Sequence, residues 1–221
     1  MSAARAAAVV LAAGASSRFG RPKALAQLWG RPLLQHVLDA LAAAEFSEVV
    51  VVLGNDADEI ERSLRWRSER RVRNPDPEEG LSSSLRIGLE GLAPATEAAL
   101  IFLGDQPLVR TDVVEQLLAG HVSEARPIAV PVYQGGGGPN PLLIHRSAWS
   151  LALEARADRG LGPVLSEHRD LVSEVDVPGS NPDVDTPEDL ANLEASRDWA
   201  GVDTQAGLAI SLDSAPEWHA G

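Results

Sequence analysis

Cysteine is missing from all 221 positions of this chain. That single absence removes disulfides, zinc–thiolate sites and cysteine nucleophiles, and it accords with a cytoplasmic protein. No apolar run approaches the roughly 18 residues that a membrane-spanning helix needs. The opening MSAARAAAVVLAAG is apolar only briefly before Ser16, Ser17, Arg18 and Lys23 follow, so it reads as a first strand entering a loop rather than a signal peptide. Positive charge is also scarce: 19 basic residues face 32 acidic ones, for a net charge of -13. A general binder of nucleic acid or of an anionic membrane would show the opposite balance. The five histidines have no metal-ligand spacing, with His145 reading as a strand-end residue, and the five tryptophans are scattered and form no platform for stacked bases. There is no internal repeat, no G-x-x-x-x-G-K-[ST] loop and no G-x-G-x-x-G fingerprint. A small anionic ligand remains open, held by a few local cations, backbone amides or a metal.

What is present is an alternation of apolar runs and amphipathic stretches. AAVVLA at 7–12, EVVVVL at 48–53 and ALIFL at 99–103 read as strands buried on both faces, and RRVR at 70–73 as a further strand. Between them, Pro32 opens a helix whose Leu33, Leu34, Val37, Leu38 and Leu41 share a face. Further helices are expected at 56–66, at 82–92 and at 113–120 after an Asp112 N-cap. Strands at 128–133, 142–145 and 171–177 and helices from Ser147 and from the Asp185–Leu190 stretch complete the chain. Pro131 argues for an edge or a bulge in its strand. Strand–helix alternation predicts an α/β fold, a Rossmann-like and mostly parallel sheet flanked by helices. The domain is expected over 1–199. Residues 200–221 read as an acidic tail, with a docked strand through Leu208, Ile210 and Leu212 as the alternative.

The stretch Leu11-Ala12-Ala13-Gly14-Ala15-Ser16-Ser17-Arg18-Phe19-Gly20-Arg21-Pro22-Lys23 directly follows the first predicted strand. In open α/β sheets ligands bind beyond the carboxyl ends of strands. Ala13 and Gly14 leave the backbone bare for phosphate oxygens, while Arg18 and Lys23 bring positive charge to an acidic chain. The same composition also suits a plain turn with two solvated cations.

The motif L-A-A-G-x-S-x-R-x-G-x-x-K resembles the N-terminal signature of the MobA-like nucleotidyltransferases of molybdenum-cofactor biosynthesis, in particular the molybdenum cofactor cytidylyltransferases. Asn74-Pro75 with Gly80-Leu81-Ser82-Ser83-Ser84-Leu85, then Leu103-Gly104-Asp105-Gln106-Pro107, then Asp183-Val184-Asp185-Thr186-Pro187-Glu188-Asp189-Leu190, resemble further segments of that family in the expected order. Together they cover residues 7–195. The resemblance implies a nucleotide-diphospho-sugar transferase type of fold and transfer of CMP from CTP to a phosphorylated acceptor such as molybdopterin cofactor, with release of pyrophosphate. Ala13 stands where the guanylyltransferase relatives carry glycine, which favours a cytidine nucleotide.

By that resemblance Leu11, Ala12, Ala13, Gly14, Ser16, Lys23, Asn74, Ser82, Ser83 and Gly104 bind nucleotide. Arg18, Lys23 and Asp105 are catalytic, and Asp105 and Asp185 hold Mg²⁺, with Asp183 a lesser candidate. Magnesium favours one or two carboxylates plus phosphates and water, and transfer to an α-phosphorus needs alignment and charge neutralisation rather than a Ser-His-Asp triad. Simpler roles stand beside these: Asp105 in a turn, Asp185 or Thr186 as a helix cap, Ser82 and Ser83 as caps. The expected partners are CTP, a small phosphorylated acceptor and a molybdenum enzyme that receives the product.

Two stretches depart from the pattern. Gly135-Gly136-Gly137-Gly138-Pro139-Asn140-Pro141 lacks the family's Arg and has Asn140 for His, and Asp158-Arg159-Gly160-Leu161-Gly162 is altered too. Both fall where the family binds its acceptor. An NAD(P)H-dependent oxidoreductase of the nicotine blue oxidoreductase type, and a non-catalytic chaperone for molybdenum enzymes, are the alternatives on the same fold.

Overall fold

The computed structural model describes residues 6–14, 19–119, 125–152 and 161–196. Its centre is β1 (Ala6–Ala12), a strand with residues 6–10 fully buried. β1 pairs in parallel with β4 (Val49–Leu53) on one side and β6 (Ala98–Leu103) on the other, and β4 in turn pairs in parallel with β5 (Arg70–Arg73). Unbroken valine and alanine runs suit these positions because both faces of the sheet are covered. Beyond β6 the direction changes: β8 (Leu142–His145) is antiparallel to β6 and to β7 (Ile128–Tyr133), and β7 is parallel to β9 (Val172–Val177). The seven-stranded order is β5-β4-β1-β6-β8-β7-β9. The mostly parallel α/β sheet expected from sequence is therefore the one observed. Pro131 sits on a strand flanked on both sides, but pairing with β8 ends at Ala129, so its missing N–H interrupts nothing on that side.

One face of the sheet carries α1 (Leu33–Leu41), α2 (Ala57–Ser63) and α4 (Thr111–Leu118), which pack their leucines and valines on Val10, Val51, Leu100 and Phe102. The other carries α3 (Leu81–Glu90), α5 (Trp149–Ala152) and α6 (Gly162–Glu167), which cover Val9, Val52 and Ile101. α3 lies so close to β1 that a Cβ on Gly88 would stand 2.4 Å from Val9 Cγ1. Among the described residues no helix is long and apolar enough to cross a membrane.

Several helix boundaries shift by a few residues from the sequence expectation, two of them for a visible reason. α2 stops at Ser63 because the buried Gln35 amide takes over the next backbone groups, accepting from Arg65 N–H (2.8 Å) and donating to Arg65 C=O (3.3 Å). α4 starts one residue ahead of Asp112, and that carboxylate accepts a two-point clasp from Arg110 (2.9 and 2.7 Å) instead of capping.

A third, small apolar cluster positions the site. β2 (Gln27–Leu28) and β3 (Arg31–Pro32) form a two-residue hairpin, with Trp29 (φ 49°) and Gly30 (φ 75°) both in the left-handed region that such turns demand. Ala26, Leu28 and Leu33 from this hairpin region pack on Val184, and Leu190 and Leu193 of α7 (Pro187–Ala195) lie against them. The segment before α7 is thereby pinned next to the hairpin. The expected tail over 200–221, and its alternative strand at 208–212, lie outside the described residues.

Candidate functional site

The parallel strands β5, β4, β1 and β6 all end on one edge of the sheet, and a cleft of about 180 Å³ opens there. Its floor is the end of β1 and the turn after it: Leu11, Ala12, Ala13 and Gly14. Gly54, Asn55 and Asp56 between β4 and α2, Ile60 of α2, Pro77 and Glu78 beyond β5, and Gly104 and Asp105 beyond β6 form the walls, with Lys23 at the mouth. The backbone approaches itself closely here. A Cβ on Gly54 would stand 2.5 Å from Ala13 C=O, and one on Gly104 would stand 2.9 Å from Ala12 Cβ. Gly104 N–H donates to Leu11 C=O at 2.9 Å, which locks the β6 turn to β1. Glycine at 54 and 104 is thus a steric requirement of bringing three strand ends together.

The charged group of the site is assembled from three distant parts of the chain. Lys23 begins the short helical turn Lys23–Leu25 leading to the hairpin. Its Nζ stands 2.5 Å from Asp105 Oδ2 and 3.0 Å from Asp185 Oδ1. Asp105 and Asp185 are brought together because Val184 N–H donates to Asp105 C=O at 3.1 Å while the Val184 side chain is buried under the hairpin. Thr186, not Asp185, caps α7: its hydroxyl accepts from Asp189 N–H and the Asp189 carboxylate accepts from Thr186 N–H, a reciprocal capping box. Asp185 is left to Lys23.

Burial works to lower the Lys23 ammonium pKa, but the charges and hydrogen bonds of Asp105 and Asp185 outweigh it and raise the pKa. Asp183 stands next in line. Partial burial raises its carboxyl pKa and the Asp105 and Asp185 charges add to that, while the Gln106 amide, donating to Asp183 Oδ1 at 2.9 Å, pulls the other way. Gln106 Oε1 accepts from Asn181 Nδ2, which also donates to Asn140 C=O (both 3.2 Å). A polar chain therefore runs from the carboxylates to the glycine-rich loop before Pro141.

One atom is left over. Asp105 Oδ1 is buried and receives no hydrogen bond among the described residues. An orphaned carboxylate oxygen is costly without a partner. Together with two carboxylates already gathered round one cation, it fits a divalent ion of the oxygen-ligated kind. No group of three or more potential ligands exists among the described residues, so phosphate and water would complete such a sphere.

The structure brings Leu11, Ala12, Ala13, Gly14, Lys23, Gly104 and Asp105 of the expected site into one cleft, with Asp185 reaching it through Lys23. It places Asn74, Ser82 and Ser83 differently: all three are buried and none lines the cleft. The Asn74 amide donates to Ser83 Oγ (2.8 Å) and Ser84 Oγ (3.0 Å), and Ser83 Oγ lies 2.8 Å from Gly80 C=O, so their hydrogen bonds join β5 to the start of α3. Neither Ser82 nor Ser83 caps α3, whose N-cap is Gly80. Ser16 and Arg18 lie outside the described residues. Sequence reasoning missed Gly54, Asn55, Asp56, Pro77 and Glu78. The signal was available, since a strand parallel to β1 must deliver its following loop to the same edge. It also missed that Lys23 is the only lysine in the chain, the other 18 basic residues all being arginine.

A second cleft of about 170 Å³ lies on the α3 side of the same edge and shares Leu11 with the first. Leu81, Leu85, Ile101, Leu103, Leu142, Leu161 and Leu165 line it together with Pro139, Asn140 and Gly162.

Residues 8–172 match the profile of the MobA-like NTP transferase domain. The chain belongs to the MobA-like NTP transferase family. By class it is a nucleotidyltransferase, with the nucleotide-diphospho-sugar transferase type of fold. Rv0371c of Mycobacterium tuberculosis H37Rv is similar over 89% of this chain and 100% of its own, at 31% identity and a TM-score of 0.79. A structure described as Rv0371C in complex with manganese, from the same organism, is similar over 87% of this chain and 99% of that one, at 28% identity and a TM-score of 0.75. Among curated proteins, the bifunctional protein GlmU of Sorangium cellulosum is 38% identical over 118 residues, which are 50% of this chain and 25% of GlmU. The match thus spans about a quarter of that relative's length.

Proposed function

We propose that this MobA-like transferase moves CMP from CTP to a phosphorylated acceptor of the molybdopterin kind and releases pyrophosphate. The observation that carries the proposal is Lys23 joined to Asp105 and Asp185 at the mouth of a cleft floored by Leu11–Gly14. The bare backbone of Ala13 and Gly14 receives the nucleotide. Lys23, with Arg18, neutralises the triphosphate as negative charge gathers on the departing pyrophosphate. Asp105 and Asp185 hold a divalent ion, Mg²⁺ by preference, which when bound supplies further charge neutralisation at the phosphates. An acceptor phosphate oxygen attacks the α-phosphorus, the bond from that phosphorus to the bridging oxygen breaks, and pyrophosphate carries the electron pair away. The attacking phosphate is already ionised, so no general base is required, and the chain's task is alignment. The second, leucine-lined cleft receives the body of the acceptor. Hydride transfer from NAD(P)H makes no use of paired carboxylates round a lysine, which favours nucleotidyl transfer over the oxidoreductase alternative. The chain acts in the cytoplasm and hands its product to a molybdenum enzyme.

Thermal unfolding with CTP, GTP, ATP, NADH and NADPH, each with and without Mg²⁺, tests this. A ligand at one hundred times its Kd stabilises by about 2.7 kcal/mol. For a chain of this size that raises Tm by roughly 5–10 °C. The expected result is a CTP shift that Mg²⁺ enlarges in the wild type, and that Asp105→Asn retains without answering to Mg²⁺. A shift with NADPH alone, indifferent to Mg²⁺, overturns the proposal.

A further inference from the structure

The ammonium of Lys23 is paired with both carboxylates that are proposed to hold the divalent ion. Asp105 Oδ2 and Asp185 Oδ1 are the two oxygens it contacts. A divalent ion and the ammonium compete for the negative charge of the same two carboxylates. We infer that Lys23 is an exchangeable counter-cation, which closes the Asp105–Asp185 pair in the free protein and surrenders it to a divalent ion only when a triphosphate takes over its charge, so that ion and nucleotide bind as one. This rests on the proposed role of Asp105 and Asp185 as the ion's holders.

Three observations carry it. The same Lys23 side chain lines the cleft beside Ala13 and Gly14 and touches both carboxylates, so its charge already stands at the border of the two. The grip is uneven: the Asp185 side chain is 56% exposed and that of Asp105 only 24%, so one contact is screened by water and breaks first. The residue type fits the task. In a chain with 18 arginines, the one lysine stands here. A guanidinium would fork onto a carboxylate at two points and stay, whereas an ammonium on a flexible stem is a point charge with rotatable donors.

An ion entering the free protein must evict a paired ammonium from a partly buried site and leave it without its carboxylates, so the ion alone binds weakly. With triphosphate present the evicted ammonium lands on phosphate oxygens. Because coupling between two ligands is reciprocal, the factor by which CTP tightens Mn²⁺ equals the factor by which Mn²⁺ tightens CTP.

A chain with a single lysine allows a direct test. Protein grown with ¹³C,¹⁵N-lysine gives one side-chain signal set, that of Lys23. Mg²⁺ alone is expected to leave it in place, and Mg²⁺ with a non-hydrolysable CTP analogue to move it. Titration with Mn²⁺, followed by its electron paramagnetic resonance signal, gives the affinities. Wild type is expected to bind Mn²⁺ about tenfold or more tighter with the analogue than without, within the usual span of coupling. In Lys23→Met, Mn²⁺ alone binds about tenfold tighter than in wild type, and the gain from the analogue shrinks to within about threefold. Lys23→Gln, which keeps a hydrogen bond to Asp105, serves if the apolar side chain does not fold. Arg21→Gln removes the same charge from a neighbouring exposed position and is expected to change neither affinity by more than about twofold. If Lys23→Met and wild type bind Mn²⁺ alone equally while Asp105→Asn binds none, the exchange is overturned and the carboxylate role survives. If no form binds Mn²⁺ with or without the analogue, the carboxylate role falls and the exchange falls with it.

Discussion

The two clefts on this sheet edge share Leu11 and little else. The first is made of bare backbone and charge: Ala13, Gly14, Gly54 and Gly104 beside Lys23, Asp56, Glu78 and Asp105. The second is made of leucine and isoleucine side chains, with Asn140 as its one polar side chain among the described residues. A glycine-floored cleft suits a ligand recognised by its phosphates, because amides and point charges read phosphate and little else. A leucine-lined cleft can only select shape and apolar surface. Leu11–Gly14, Lys23, Gly104 and Asp105 of the segments that resemble the cytidylyltransferases line the first cleft, while Pro139 and Asn140 of the departing 135–141 stretch, with Leu161 and Gly162, line the second beside Leu81, Leu85 and Leu103. Among the described residues that depart from the family's pattern, those that line a cleft line the apolar one, and none lines the charged one.

The largest effect that would break this division is at Asp105. Asp105→Asn keeps the shape of the turn but removes the charge facing Lys23, and about a 10²–10³-fold loss of turnover with Mg²⁺ is expected, with CTP affinity falling far less. Steady-state kinetics beside equilibrium CTP binding checks it, and a variant that still turns over removes Asp105 from the mechanism. Next comes Lys23→Ala. A hydrogen bond to a charged group is worth about 1.5–3 kcal/mol, so CTP with Mg²⁺ should bind roughly 10–100-fold more weakly. CMP should lose much less, because it lacks the distal phosphates. Equal losses for CTP and CMP would mean that Lys23 does not reach those phosphates.

What the sequence made legible follows the same division. Val49–Leu53 and Ala98–Leu103 announce themselves because a central parallel strand is apolar on both faces. A carboxylate just past such a strand, Asp105, is delivered to the sheet edge by topology alone. The hairpin at 27–32 was not legible, since two-residue strands carry no periodicity and Trp29 in a left-handed turn breaks the usual composition rule. Nor was the end of α2, which is set by Gln35 from another element. Asn74 and Ser83 read as ligand groups through the family resemblance of their segments, and their contact with each other appears only once β5 and α3 are packed. Gly54 shows the same limit: its need to be glycine comes from Ala13 C=O, 41 positions earlier.

A change in the second cleft should sharpen the contrast. Leu165→Asn places a polar amide among the leucines while leaving the first cleft untouched. Leu165 is partly buried, and covering a leucine fully is worth roughly 1.5–3 kcal/mol, so losing part of that contact should raise KM for the phosphorylated acceptor by about tenfold. CTP affinity should stay within about twofold of wild type. A matching loss in CTP binding would erase the distinction between the clefts.

The smallest effect belongs to Asp183, on the polar chain that links the two clefts through Gln106 and Asn181 to Asn140. Its carboxyl pKa is raised in the folded protein, by partial burial first and by the Asp105 charge next. An acid whose folded pKa lies above its unfolded value opposes folding when ionised. That penalty is absent below the unfolded pKa, near 4, and grows as pH rises through the folded value. Asp183→Asn keeps an oxygen for the Gln106 amide and removes the charge, so it should raise Tm at pH 7 and leave it unchanged near pH 3. Asp183 retains contact with solvent, and screening limits the gain to about 1–2 °C. Thermal melts of both forms across that pH range decide it. A lower Tm at pH 7 would mean that Lys23 compensates Asp183 as well as Asp105 and Asp185, and the ammonium would then be shared among three carboxylates rather than two.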